Sequence, residues 1–170
     1  MKEDVPDFQI DVQRAPQDFR QWDRLLELLR EAFAYQEHRI DPPSSVSALN
    51  AGLLAEKSSR EHLFLATVAS ELVGCVFAID RPPLLHVSKL AVWPHLQGRG
   101  IGRRLMSAVE VFARESGRTI LELETRIELT ENHRTFESLG FNKVSEHAHE
   151  GFDHATYIRM RRFLGALPGA

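Results

Sequence analysis

Leu84-Leu85-His86-Val87-Ser88-Lys89-Leu90-Ala91-Val92 is rich in apolar and β-branched residues and reads as a strand. Trp93-Pro94 ends it, because proline cannot donate to a sheet ladder. Gln97-Gly98-Arg99-Gly100-Ile101-Gly102-Arg103 follows and opens a helix that should run to about Ser116. Alternate glycines at a strand-to-helix turn leave backbone N–H groups bare, and the positive end of the helix dipole adds attraction for phosphate. Thr119 to Thr125 alternates again and reads as the next strand, so Leu84–Glu124 forms a strand–helix–strand unit long enough for a parallel crossover.

Two common phosphate loops fit this stretch badly. A P-loop needs Gly, four residues, then Gly-Lys-Ser/Thr, and no such run exists. The dinucleotide fingerprint would need glycine where Arg103 stands, although Glu122 lies about 20 residues on. The stretch instead resembles the GNAT superfamily of N-acetyltransferases, whose signature Gln/Arg-x-x-Gly-x-Gly/Ala after a strand is met by Gln97, Gly100 and Gly102. Phe136-Glu137-Ser138-Leu139-Gly140-Phe141 resembles a second motif of the superfamily, in the expected order and at the expected separation. The resemblance covers roughly Leu84 to Phe141. It implies an α/β fold in one domain spanning residues 1–170: a central mixed, mostly antiparallel, twisted sheet, splayed at a parallel strand pair and flanked by helices.

Composition agrees with a globular domain. The 170 residues are 43% hydrophobic and 26% charged, and the formal net charge of −3 gives no basic footprint for nucleic acid. No apolar run approaches the ~20 residues needed to span a bilayer. The acidic start Met1–Asp7 lacks the apolar core of a signal peptide, so a soluble, cytoplasmic protein is expected. The lone Cys75 lies in the apolar run Val73–Ile79 and reads as a buried, inert thiol.

Upstream, Phe8 to Val12 alternates as a first strand, and Asp18 and Gln21 have the spacing of a variant capping box. Phe19, Trp22, Leu25, Leu26, Leu29, Ala32 and Phe33 then share one helical face. A second helix is expected from Ser47 to Lys57 with Leu49, Leu53 and Leu54 inward, then a hairpin, 62–69 and 72–79, turning at Ser70-Glu71. Downstream come a short helix from Asn132 to Leu139 and strands at 144–148 and 155–162; the tail 165–170 should fray.

The resemblance also implies the chemistry: transfer of an acetyl group from acetyl-CoA, as co-substrate and without metal, to a primary amine on a small molecule or peptide. A homodimer is common among such proteins. By resemblance, the amides of Arg99, Gly100, Ile101, Gly102 and Arg103 would face the pyrophosphate, Gln97 and Gly98 would belong to the same cofactor-binding turn, and the backbone of Leu90, Ala91 and Val92 would hold the pantetheine arm. Asn132, His133 and Phe136 would border that arm, with a helix-start role for Asn132 the alternative. Two residues compete as general base: His86, whose residue type titrates near neutrality, and Glu124 at the end of the next strand. Either could be structural instead. Ser88 would share a face with His86 and could position a water.

Many members carry tyrosine where Phe136 stands, and phenylalanine has no proton for the leaving thiolate. That leaves Tyr157, water or direct thiolate release. It also opens a second reading, a catalytically silent acyl-CoA-binding module. Tyr35, His38 and Arg39 would lie near the acceptor, as would the segment His147–His154, for which a polar rim or a plain hairpin turn fits better than a metal site.

Overall fold

Trp93-Pro94 does end the central strand. In the computed structural model, which describes residues 8–165, that strand is β4, Leu84–Val92. It belongs to a seven-stranded sheet with β1 (Asp11–Arg14), β2 (His62–Val68), β3 (Glu71–Arg81), β5 (Ile120–Arg126), β6 (Asn142–His147) and β7 (Tyr157–Phe163). The strand order is β1-β2-β3-β4-β5-β7-β6. Only β4 and β5 are parallel neighbours; every other pair is antiparallel. Four α-helices flank the sheet: α1 (Trp22–Phe33), α2 (Ala51–Arg60), α3 (Ile101–Glu115) and α4 (Thr130–Ser138).

Alternation sorts β3 into two faces. A Cβ at Gly74 would lie 3.0 Å from Ile101 Cγ2 and 3.1 Å from Leu105 Cδ1, so Gly74 lets α3 press on the sheet. On the opposite face the Lys57 ammonium of α2 sits over the Phe77 ring. α1 buries Leu25, Leu26, Leu28, Leu29 and Ala32, and α3 buries Ile101, Leu105, Met106, Val109 and Ala113. Fully burying one such leucine is worth about 1.5–3 kcal/mol. Gly117, at φ +72°, closes α3 as expected. Cys75 is buried, and burial pushes its thiol up to about 12.

Several boundaries differ from expectation, each for a local reason. β1 begins at Asp11 because the Ile10 carbonyl is taken by the Arg104 guanidinium of α3 (3.0 Å). The Asp18 capping box does not form. Phe19 N–H turns back to the Pro16 carbonyl, and Gln21 caps α1 without a side-chain bond. α2 starts at Ala51 because the Asn50 side chain accepts from Leu53 N–H (2.8 Å); a 3-10 turn, Ser45–Ala48, precedes it and buries Val46 while Leu53 stays exposed. The β2–β3 turn is Ala69-Ser70, both left-handed. β7 begins at Tyr157 because Thr156 N–H closes the loop on the His147 carbonyl. Of the tail expected to fray, residues 166–170 lie outside the described residues.

Candidate active site

The parallel pair comes apart. β4 and β5 are in register from Leu84↔Ile120 to Val87↔Leu123 and no further. Beyond that point β5 continues on β7 to Arg126, while β4 continues on β3 to Val92. A β-bulge lies at the parting: between the pairs Phe77↔Ser88 and Cys75↔Ala91, β4 carries one extra residue, and Lys89 takes φ +55°. The wedge opens into a cavity of about 910 Å³.

The glycine turn forms one end of this cavity. Gly98 and Gly100 are left-handed, at φ +78° and +85°, a conformation that residues with a Cβ adopt reluctantly. Nothing lies within 4 Å of where a Cβ would stand at Gly98, Gly100 or Gly102. No side chain caps α3, and its first bond is Arg104 N–H to the Gly100 carbonyl (3.0 Å). The N–H groups of Ile101, Gly102 and Arg103 therefore have no intrahelical partner. This arrangement can hold a diphosphate.

Of the residues expected to bind the cofactor, Leu90, Val92, Gln97, Gly98, Gly100, Ile101, Gly102, Arg103, Asn132 and Phe136 line the cavity. Two do not. The Ala91 side chain is buried, and the Arg99 guanidinium stacks over the Phe8 ring, 5.0 Å from its centroid. Gln97 donates its side-chain amide to the Val92 carbonyl (3.3 Å), tying the turn to the end of β4. Asn132 does not cap α4, which begins after Leu129; its Nδ2 donates to the Tyr35 hydroxyl at 2.8 Å. His133 lies outside the cavity lining, where its Nε2 donates to the Arg126 carbonyl (2.9 Å).

The candidate catalytic residues His86, Glu124 and Tyr157 all line the cavity, as does Ser88. His86 Nδ1 lies 3.0 Å from Glu122 Oε1, and the side chains are 12% and 6% exposed. Arg161 binds the other Glu122 oxygen at 2.8 Å. Burial pushes the Glu122 carboxyl up, but the hydrogen bonds from His86 and Arg161 outweigh it and hold the group below the usual carboxylate range. An ionised Glu122 only accepts, so His86 Nδ1 is the donor in this bond and the ring is held by it. Glu124 is instead tied to Arg159 at 2.9 Å.

At the other end, Tyr35, His149, Lys89 and Arg126 line the cavity, whereas His38 and Arg39 do not. Arg39 pairs with Glu131 (2.6 Å), and with the Tyr35–Asn132 bond it ties the end of α1 to the start of α4. His149 Nδ1 is 2.5 Å from Thr156 Oγ1, and burial keeps its imidazole below the usual range. Asp153 is fully exposed and paired with His154, so the segment meets the cavity through His149 and not through Asp153. Sequence reasoning missed Lys89 and Arg126. It treated Glu122 only as part of a failed dinucleotide pattern, although the parallel crossover already places Glu122 beside β4. Among the described residues no helix is long and apolar enough to cross a membrane, and no three His, Cys, Asp or Glu side chains are grouped to hold a metal ion.

The family model described as "Acetyltransferase (GNAT) family" matches residues 22–141. No protein of curated function matches the chain. Among solved structures the chain is similar to the ribosomal-protein-S18-alanine N-acetyltransferase from Escherichia coli, with 17% identity, 95% of this chain and 97% of that chain covered, and a TM-score of 0.69. It is also similar to PaiA N-acetyltransferase from Thermoplasma acidophilum in complex with coenzyme A (14% identity, 91% and 99% covered, TM-score 0.75). A third is the IAA acetyltransferase from Bacillus cereus (21% identity, 92% and 100% covered, TM-score 0.64). At these identities the likeness speaks for the fold.

Proposed function

The chain belongs to the GNAT family of acetyltransferases, and from that premise we propose that it transfers the acetyl group of acetyl-CoA to a primary amine. The observation that carries this reading is the parting of β4 from β5 after Val87 and Leu123, beside an uncapped glycine turn. The pyrophosphate binds the free N–H groups of Ile101 to Arg103. The pantetheine arm enters the opening and bonds to the unpaired edge of β4, which sets the thioester near His86 and Glu124.

His86, held through Nδ1 by Glu122, takes the proton from the ammonium of the acceptor. The neutral amine attacks the thioester carbonyl, a C–N bond forms, and the C–S bond breaks. The second proton of the attacking nitrogen passes through water to the departing sulfur side. Phe136 offers no proton, so the Tyr157 hydroxyl, which lines the same cavity, or water protonates the thiolate. Glu124 is the alternative base, although Arg159 already engages its carboxylate.

Phe136 favours a second reading, a silent acyl-CoA-binding module. One assay separates the two: release of coenzyme A thiol from acetyl-CoA across a panel of primary amines. Amine-dependent release supports the transferase. Tight acetyl-CoA binding with no release above the rate without amine supports the silent module.

A further inference from the structure

The acceptor end of the cavity holds two cations, Lys89 and Arg126, with no carboxylate in direct contact among the described residues. Lys89 stands at the β4 bulge, and its Nζ donates to Ser45 Oγ at 2.6 Å. Arg126, at the end of β5, donates one guanidinium nitrogen to the Pro43 carbonyl (3.0 Å), while its other terminal nitrogen is buried with no partner. Among the described residues neither side chain forms an ion pair. Of the carboxylates around them, Glu124 is on Arg159, Glu122 on His86 and Arg161, Glu131 on Arg39 and Glu61 on Lys57, while Glu128 and Asp41 act on Arg126 without an ion-pair contact.

Burial disfavours both charges. Burial, and then the neighbouring charge of Lys57, push the Lys89 ammonium down to about 8, with Arg126 adding to the fall. Burial likewise holds the Arg126 guanidinium below its usual range. Half-buried cations without a direct ion pair are costly, and an anion between them would supply that contact. A planar guanidinium with free donors suits an oxyacid, which it can bind in a fork.

We propose that the acceptor is a small primary amine that also carries an oxyacid group, a carboxylate, phosphate or phosphonate, held by Lys89 and Arg126 while the amine faces the opening between β4 and β5. This names the substrate class of the transferase reading and rests on it.

Matched amines test the proposal: β-alanine against β-alaninamide, and phosphoethanolamine against ethanolamine, each as kcat/KM in wild type, Lys89→Met, Arg126→Gln and Arg126→Lys. The ratio of anionic to neutral substrate is the readout, because partial unfolding lowers both rates alike. Wild type should favour the anionic member of at least one pair by about tenfold or more, the scale of one charge-assisted hydrogen bond. The ratio should fall toward one in Lys89→Met and Arg126→Gln and recover in part in Arg126→Lys. The two pairs separate carboxylate from phosphate.

Calorimetry of the same amines on protein loaded with coenzyme A needs no turnover. If nothing is acetylated but an anionic amine binds, and Arg126→Gln weakens it, the anion site stands and the transferase reading falls. If neutral amines are acetylated as well as their anionic twins, or a preference survives both substitutions, the anion site falls and the transferase reading stands. If no anionic amine is favoured in rate or in binding, the anion site is overturned.

Discussion

His86 Nδ1 and Glu122 Oε1 lie 3.0 Å apart on directly opposed residues of β4 and β5, one rung before the two strands part. The pair holds the imidazole ring at the edge of the cavity, with the carboxylate anchored in turn by Arg161. His86→Gln should lower kcat/KM by about 10²-fold or more, the usual scale of general-base assistance, while the Kd for acetyl-CoA stays put. Steady-state rates with the best amine and calorimetry check both halves. If Glu124→Gln is the costly change and His86→Gln is mild, the base lies on β5.

The same ion-pair group should show in acid stability. Glu122 is held below the usual carboxylate range, so its contribution is complete above ~4.3, the ordinary glutamate value, and is lost as pH falls through the depressed folded value. Glu122→Gln should therefore be less stable than wild type at pH 7, with the gap closing on acidification. Melting temperatures of both proteins, taken stepwise from pH 7 to pH 3, test this; a constant gap would contradict it.

Lys89 has the opposite signature. Its folded value of about 8 is below the ordinary lysine value of ~10.4, so between those limits the unfolded chain binds more protons and stability rises with pH. Relative to Lys89→Met, wild type should gain stability between pH 8 and pH 10. Urea unfolding at pH 7, 8, 9 and 10 measures it, and parallel curves would show an ordinary, solvated lysine.

Gly74 couples packing to the cofactor end. A Cβ there would stand 3.0 Å from the Ala91 carbonyl oxygen and from Ile101 Cγ2, and Ile101 is the first residue of α3. Gly74→Ala should cost about 1–3 kcal/mol, as overpacking does, and should also weaken acetyl-CoA binding, because the helix start has to move. Thermal melting and calorimetry on one preparation decide whether the two losses travel together.

Much of the fold was legible because β4 and the glycine turn are punctuated locally: proline stops the strand, and glycines admit the left-handed turn. The limits of β4, and the end of α3 to within a residue, follow from that. The starts of α1 and α2 did not, because competing local bonds decide them, Phe19 on Pro16 and Leu53 on the Asn50 side chain. The start of β1 did not, because the Ile10 carbonyl meets Arg104 from far along the chain. Candidate residues of the cofactor end lie close together in sequence, so a motif could carry them. The acceptor end is assembled from β4, β5, the 42–45 segment and the β6–β7 loop. Lys89 and Arg126 meet there only after the sheet forms, and the bulge that gives Lys89 its positive φ left no mark in the apolar pattern.

Tyr157 carries the remaining chemical expectation. Its ring stacks on His147, with centroids 5.3 Å apart, and touches His149, so Tyr157→Phe keeps the packing and removes only the hydroxyl. If that hydroxyl protonates the thiolate, kcat should fall by about tenfold or more with the acetyl-CoA Kd unchanged. An unchanged kcat assigns the proton to water.

Gly102 gives the most direct measurement of all. It lies in the first turn of α3 without positive φ, and nothing stands within 4 Å of its would-be Cβ. Gly102→Glu therefore adds a negative carboxylate at the proposed pyrophosphate seat without straining the backbone, in a helix position that tolerates acid. Acetyl-CoA titrated calorimetrically into wild type and Gly102→Glu, both shown folded by circular dichroism, should bind wild type at one site and bind the variant at least about tenfold more weakly, a loss of ~1.4 kcal/mol. Equal affinity in the two folded proteins, or no binding to wild type, would contradict a coenzyme A cradle at this turn.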